Sequence, residues 1–372
     1  MLSNINFQYG VMMNGRLWLS GLLALLMLAG CAPQKQSQPV SEKSSATETD
    51  ATRPNKAPDQ REIALPPQIG IAERSDVHAF IMEMVQRHGF DAGQLSAAFD
   101  AAGFQPAILE AMGKPYEAKP WFQYQKLFLT EKRILGGRTF MEENRAVLSR
   151  IQTKYGVDPA IVTAIIGIES AYGVKPGKYR LIDALSTLAF QYPRRASFFR
   201  SELEQFLLLC REEGTNPVEP LGSYAGAMGM PQFMPSSFRK LAVDGDGDGR
   251  RDIWKNPSDA IASVANYFSR NGWRTGEPIA VPANVKGTAF GAVLSSKTPK
   301  PSFTLTQLAA KGVTPATAVK DGLKGVLVEL PGDQGPVYWI VFQNFSVIMR
   351  YNHSVLYAMA AYELTRSFQH AR

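Results

Sequence analysis

The segment AIVTAIIGIE, residues 160–169, limits the possible folds of this chain more than any other. Asp158-Pro159 ahead of it has the form of a helix start. Asp caps free N–H groups, and Pro takes the first turn, where its missing N–H costs nothing. From Ala160 to Ile168 only Thr163 is polar. A helix apolar around its whole circumference must be covered by other elements on nearly every side. Glu169 follows about three turns in, and Gly173 is placed to close the helix after Tyr172. Two effects raise the affinity of this carboxylate for a proton. Ile165, Ile166 and Ile168 disfavour the ion by desolvation, and the negative end of the helix dipole opposes an anion in the last turn. A carboxyl group kept neutral near pH 7 is what a general acid requires. The same side chain turned outward would be an ordinary solvated Glu, the common case for this residue.

Helical periodicity surrounds this segment. Ser75 is a suitable N-cap for DVHAFIMEMVQRHGF, with Val77, Phe80, Ile81, Met84 and Val85 on one face and Gly89 as the stop. QLSAAFDAAGF and QPAILEAMG read as short helices, and residues 121–155 as a longer amphipathic stretch interrupted at Gly136-Gly137. Further helices are expected over 184–190, 198–213 and 257–271. After Gly276 the texture changes to β-branched and aromatic runs divided by Gly, Pro and Asp. PIAVPANV, GVLVELPG and PVYWIVFQNFSVIMR therefore read as strands. From Asn352 the chain returns to helix in HSVLYAMAAYELTRSF. The expected class is α+β, mainly α, and 372 residues suit two or three domains. We expect a helical module at 71–118, joined by about 185–215, and a helical core at 119–275. An antiparallel β insertion at 276–345 follows, and a helix at 346–372 rejoins the core. No internal repeat points to a solenoid.

The amino terminus reads as an address. Residues 17–30, LWLSGLLALLMLAG, follow a single charge at Arg16 and are too few for a comfortable bilayer span of about 20 residues. They end in small residues and Cys31, which resembles a bacterial lipoprotein signal over 1–30, with Cys31 as the lipidated first residue of the mature chain. Met12 or Met13 serves equally well as the start. Ala32, where an Asp would favour inner-membrane retention, points to the periplasmic face of the outer membrane. Residues 31–70, rich in Ser, Thr, Pro, Gln and charge, have little to bury and read as a disordered tether. The other cysteine, Cys210, leaves no disulfide framework. A net charge of +7 suits polyanionic surroundings. The positive charges are scattered and no nucleic-acid motif accompanies them, so nucleic acid is not an expected partner.

Asp244-Gly-Asp246-Gly-Asp248-Gly249-Arg250 sets oxygen ligands at positions 1, 3 and 5 of an EF-hand loop, Gly at 6 and a backbone carbonyl at 7. Three carboxylates this close repel unless a hard cation neutralises them. Position 12 is Lys255 where such loops carry Glu. A solvated acidic turn is the alternative.

IIGIESAYG, QYPRRASFF and GSYAGAMGMPQFMPSSF together resemble the membrane-bound lytic transglycosylase B family. Further landmarks are DGDGDGRRDIW, NPSDAIASVANYF and RYNHSVLYAMA, so the resemblance runs from about Phe80 to the last helix. It implies a lysozyme-like core and an enzyme that cleaves peptidoglycan glycan strands. It also implies that Glu169 is the sole catalytic carboxyl group. Glu169 would protonate the glycosidic oxygen between N-acetylmuramic acid and N-acetylglucosamine. As a base it would then take the proton of the sugar's own 6-hydroxyl, which closes onto C1 as a 1,6-anhydro end. Most glycosidases need two carboxylates; here a hydroxyl at high effective molarity fills the second role, aided by the 2-acetamido group.

By the same resemblance Ser223 and Gln232 line the cleft beside Glu169 and hydrogen-bond the substrate and the acid, and Tyr124, Tyr267, Tyr351, Asn352 and Tyr357 face the groove. Aromatic faces and amides suit pyranose rings, although each aromatic taken singly serves equally well in a core. Gly226 and Gly229 are expected at φ > 0, where the backbone can approach a sugar closely. Arg194 and Arg195 match paired arginines that meet lactyl or peptide carboxylates; structural ion pairs are the alternative. Asp259 closes the metal loop in the family pattern, with Asp252 as an alternative or supplementary ligand. Calcium would be structural, and no organic cofactor is expected. The implied partners are glycan strands, the outer membrane through the lipid anchor, and other cell-wall enzymes, with the protein itself a monomer. The rival readings are a hydrolytic muramidase and a non-catalytic peptidoglycan-binding lipoprotein.

Overall fold

The computed structural model describes residues 70–113, 119–295 and 297–369. The expected signal, Cys31 and all of the tether except Gly70 lie outside the described residues. Three helices come first: α1 (Ser75–His88), α2 (Ala92–Asp100) and α3 (Pro106–Met112). Ser75 is the first helical residue of α1 and not its cap, because Arg74 holds the extended N-cap position and its guanidinium pairs with Asp76 at 2.7 Å. Asp91 caps α2 by accepting from the Gln94 amide at 2.8 Å. Val77, Phe80, Ile81 and Met84 form the buried face of α1.

Next come α4 (Trp121–Tyr124), α5 (Glu131–Glu143), α6 (Arg145–Tyr155) and α7 (Pro159–Ser170). The break expected at Gly136-Gly137 does not occur: α5 runs through both glycines, and the chain breaks ahead of Thr130 and at Asn144. A Cβ on Gly137 would stand 2.5 Å from Cζ of Phe368, so these glycines admit close packing inside the helix and do not end it. The chain continues through α8 (Leu181–Gln191), α9 (Ala196–Glu212), α10 (Pro235–Leu241) and α11 (Pro257–Arg270). A two-stranded pair, β1 (Tyr179–Arg180) with β2 (Leu221–Gly222), ties the turn after α7 to the glycine-rich block at 222–237.

The remaining strands are β3 (Ala280–Val285), β4 (Phe303–Thr304), β5 (Val313–Pro315), β6 (Lys324–Gly332) and β7 (Gly335–Val341). They form one antiparallel sheet in the order β4-β6-β7-β3-β5, with Val328 opposite Trp339. A short helix, α12 (Leu305–Ala309), starts at a capping box made by Thr304 and Gln307. Side chains alternate across the sheet. Val326, Val328, Leu330, Trp339 and Val341 face the helical core, while Leu327, Ile340 and Val281 build a smaller core on the other side.

The run QNFSVIMR is not the end of a strand. It forms α13 (Gln343–Tyr351), followed by α14 (Val355–Gln369). Phe345, Ile348 and Met349 recur at helical spacing, and buried Asn344 fixes the entry. Its Oδ1 accepts from the Arg274 amide at 2.8 Å, and its Nδ2 donates to the carbonyls of Arg274 and Glu277 at 2.9 and 2.8 Å.

Two helical cores result. One gathers α5, α6, α7, α11, α13 and α14 with the inner face of the sheet. The other gathers α1, α2, α3, α8 and α9 with Met228, Phe233, Phe238 and Ile253. Tyr267 and Tyr351 pack against both.

Candidate active site

Every residue of α7 except Pro159 and Glu169 is buried, as its composition requires. Asp158 caps it through the Ala160 amide at 2.8 Å. The helix ends at Ser170, two residues before the expected stop, because Ala171 and Tyr172 already take left-handed φ of 52° and 61° ahead of Gly173 at 87°. The turn is stitched by Ala171 N–H to the Gly167 carbonyl (3.1 Å), Tyr172 N–H to the Ile166 carbonyl (3.3 Å) and Gly173 N–H to Ser170 Oγ (3.0 Å).

Glu169 is half-buried at this helix end. Burial pushes its carboxyl group up to about 7, against a hydrogen bond from Tyr357 that favours the ion. Tyr357 Oη, on α14, donates to Glu169 Oε1 at 2.6 Å. The Tyr357 and Tyr351 hydroxyls are held well above their usual range by burial and then by the nearby Glu169.

Tyr351 turns its hydroxyl to the Pro231 carbonyl at 2.5 Å, and Tyr267 donates to the Arg350 carbonyl at 2.6 Å. Their rings lie 4.7 Å apart and both meet Phe233, so the glycine-rich block is fastened to α11 and α13 beside Glu169. Tyr124, buried on α4, also acts on the ionisation of Tyr357. The structure thus gathers Glu169 with all four expected tyrosines.

Ser223 Oγ accepts from the amides of Ala225 and Ala227 at 3.3 and 3.0 Å. Gln232, at φ 51°, donates through Nε2 to the Pro176 and Gly229 carbonyls at 2.9 and 2.8 Å. Neither hydrogen-bonds Glu169. Gly226 and Gly229 do have positive φ, but their open faces meet protein: an added Cβ would lie 2.5 Å from Leu185 Cδ2 and 2.6 Å from the Ile253 carbonyl. Asn352 is exposed just past α13. Arg194 and Arg195 are exposed in the turn before α9, with no ion pair to either among the described residues. Arg195 lies over the Phe198 ring at 4.2 Å.

A cavity of about 520 Å³ opens between Glu329–Pro331 of β6 and residues 353–356; neither Glu169 nor Tyr357 lines it. Another, of about 650 Å³, lies behind the glycine-rich block among Cys210, Leu221 and Trp254 and does not include Glu169.

In the acidic loop, carboxylate oxygens of Asp244, Asp246 and Asp259 come within 4.8 Å of one another. Asp259 is fully buried on α11 and accepts from the Gly245 and Asp252 amides at 2.7 and 2.6 Å. Asp248 is not part of this group; its Oδ1 accepts from the Arg250 amide at 2.8 Å. Asp252 is likewise engaged, with the Trp254 and Lys255 amides at 3.0 and 2.9 Å. Arg250 is exposed at the loop's edge. An all-oxygen set that includes a buried carboxylate fits a hard cation.

The sequence reading missed Tyr172, whose hydroxyl donates to the Arg133 carbonyl at 2.7 Å. The signal for it is the set of glycines at 136, 137 and 167, each of which faces its ring.

Residues 72–366 match the transglycosylase SLT domain family. The chain is 38% identical over 374 residues to the membrane-bound lytic murein transglycosylase B of Escherichia coli K12, covering 96% of this chain and 99% of that protein. The Escherichia coli lytic transglycosylase Slt35, solved in complex with calcium, superposes with a TM-score of 0.74 at 41% identity, over 82% of this chain and 96% of that one. SltB3 from Pseudomonas aeruginosa, solved in complex with NAG-NAM-pentapeptide, gives a TM-score of 0.71 at 32% identity, over 79% of each chain. The fold class expected from the sequence, mainly helical α+β with a lysozyme-like core, is that of these neighbours. The buried helix bearing Glu169 and the sheet-backed core around it are those of a peptidoglycan-cleaving enzyme: the chain belongs to the transglycosylase SLT domain family.

Proposed function

We propose that this protein cleaves the β-1,4 bond between N-acetylmuramic acid and N-acetylglucosamine and leaves a 1,6-anhydromuramic acid end, with Glu169 as acid and then base. The observation that carries the reading is the half-buried carboxyl group at about 7 with Tyr357 Oη on its Oε1 at 2.6 Å. A group poised near the working pH gives and takes a proton with little penalty either way. A two-carboxylate mechanism needs a partner acid within about 5–9.5 Å. In this reading a hydroxyl of the sugar itself takes the place of that second acid.

In the first step Glu169 gives its proton to the leaving oxygen, and the bond to C1 breaks. The new carboxylate keeps the hydrogen bond from Tyr357, which favours the ionised form. In the second step it takes the proton of the 6-hydroxyl as that oxygen bonds to C1. Ser223, Gln232, Tyr124, Tyr267, Tyr351, Asn352 and Tyr357 line the sugar sites in this reading. Arg194 and Arg195, exposed and without acidic partners among the described residues, meet substrate carboxylates. The NAG-NAM-pentapeptide held by SltB3 supports a peptide-bearing glycan as substrate.

Asp244, Asp246 and Asp259 are proposed to hold a structural calcium, as the calcium complex of Slt35 suggests. Bound there, the ion would offset the mutual repulsion of the three carboxylates. Cys31 is proposed to carry the lipid that anchors the chain at the outer membrane.

Digestion of purified sacculi followed by mass analysis tests the mechanism. Anhydro ends, lighter than hydrolysed ends by one water, are expected. Reducing ends would identify a hydrolytic muramidase, and no release at all a binding protein.

A further inference from the structure

We infer that Tyr172 is a positioning residue for Glu169, locked in a slot that three glycines leave open between α5 and α7. The inference rests on the reading of Glu169 as the acid.

Tyr172 lies three residues beyond Glu169, in a turn where Ala171 and Tyr172 both hold left-handed backbone. Neither residue type favours that conformation, and a bulky aromatic favours it least. Local hydrogen bonds alone do not explain such a choice, since Gly173 could have closed the helix unaided. The ring of Tyr172 supplies the reason. On α5 an added Cβ at Gly136 would stand 3.0 Å from Cε2 of this ring, and one at Gly137 would stand 2.7 Å from its hydroxyl. On α7 itself an added Cβ at Gly167 would stand 2.5 Å from the hydroxyl and 2.6 Å from Cε1 and Cζ. The hydroxyl donates to the Arg133 carbonyl at 2.7 Å, and the ring meets Phe140 with centroids 5.6 Å apart. The end of α7 is thus tied to α5 from outside the helix.

A side chain so held fixes the direction in which the last turn of α7 faces. Glu169 is the next-to-last residue of that helix, and its partner Tyr357 stands on a different helix, α14. The acid and its hydrogen-bond donor therefore stay in register only while the end of α7 stays where Tyr172 holds it. The Tyr172 hydroxyl bonds to the Arg133 carbonyl and not to Glu169, so it acts on the acid through the backbone. The sugar-facing residues on α11, α13 and the glycine-rich block do not depend on it.

The test measures kcat and KM on purified glycan strands, with the pH profile of kcat/KM, for Gly167→Ala, Tyr172→Leu, the double variant and Tyr172→Phe. Gly167→Ala drives the ring from its slot and is expected to lower kcat by about 100-fold, the cost of misplacing a reacting group by about 1 Å. KM should stay within about twofold, because binding groups elsewhere are untouched. The high-pH limb should also shift, since Glu169 loses its set distance to Tyr357. In the Tyr172→Leu background, adding Gly167→Ala should cost less than about threefold more, as contacting residues are non-additive. Tyr172→Phe, which keeps the ring, should lose about tenfold at most, the worth of one hydrogen bond.

The inference fails if Tyr172→Leu and Gly167→Ala keep kcat within about threefold with an unmoved pH limb. It fails also if kcat, glycan binding and melting temperature decline together, which a merely structural role would produce. Should Gly167→Ala not fold, Tyr172→Leu against Tyr172→Phe decides on the same readings. Glu169→Gln is run beside them: its retained turnover would overturn the acid reading itself, whereas its inactivity with normal Tyr172 variants overturns only the positioning.

Discussion

Glu169 works against the fold that holds it. Its carboxyl group is raised from 4.5 to about 7 by burial, so the native state binds the proton more tightly than the unfolded chain does. Between those two values the native state keeps a proton that the unfolded chain releases. Stability from this group is therefore complete below pH 4.5 and is lost as pH rises through 7. The loss amounts to about 3 kcal/mol at most, at 1.36 kcal/mol per unit. Glu169→Gln should then be more stable than the wild type at pH 8 by up to that amount, with the advantage gone at pH 4.5. Urea unfolding of both proteins at the two pH values checks this. Tyr357→Phe removes the one hydrogen bond that favours the ion, so the Glu169 pKa should rise further and the high-pH limb of kcat/KM should move upward. The rate should fall about fivefold with it, as one oriented hydrogen bond is worth about 1 kcal/mol. At this scale the acid was readable because desolvation follows from the apolar neighbours written beside it in the chain. Family likeness placed Tyr357 in the groove, but its bond to Glu169, across 188 positions, was not legible in the sequence.

Among elements, α5 gives the sharpest lesson. Two adjacent glycines read as a helix break because glycine weakens a helix by about 1 kcal/mol per residue relative to alanine. Here the neighbours decide otherwise, since the space of both side chains is taken by Tyr172 and Phe368. Gly137→Ala should therefore destabilise the protein by about 1–3 kcal/mol in spite of the better helix propensity, the usual cost of overpacking. Thermal melts against wild type check the sign. α13 was misread for a related reason: Phe345, Val347 and Met349 alternate like a strand, and periodicity over so short a run does not separate the two forms. The metal loop was half visible. Its spacing indicated acidic ligands, but Asp259 comes from α11, beyond the loop's own repeat. Calcium added to chelator-treated protein should raise the melting temperature, and Asp259→Asn should abolish the gain. A melting temperature indifferent to calcium would remove the metal from the account.

At the scale of the whole molecule, the β insertion is not a detachable ornament. Val326, Val328, Leu330, Trp339 and Val341 belong to the same core as α7. Each buried apolar side chain contributes about 1.5–3 kcal/mol, so stripping five of them exceeds the 5–15 kcal/mol margin typical of a domain at its lower end. Replacing residues 280–341 by a short linker should therefore abolish cooperative unfolding in denaturant, not merely activity. The change from helical to strand texture after Gly276 announced this insertion. What it could not announce is which face the sheet would turn to the helices, because that depends on the register of β6 with β7. The order of the chain adds one more consequence. The segment bearing Tyr357 is the final described element, α14, and it lies against α7 and α5. A ribosome must add 188 residues after Glu169 before that side chain meets its companion. A product cut short ahead of residue 355 would retain Glu169 yet lack both the hydroxyl that steadies it and the buried helix that completes its core, so such incomplete copies should neither unfold cooperatively nor cut glycan.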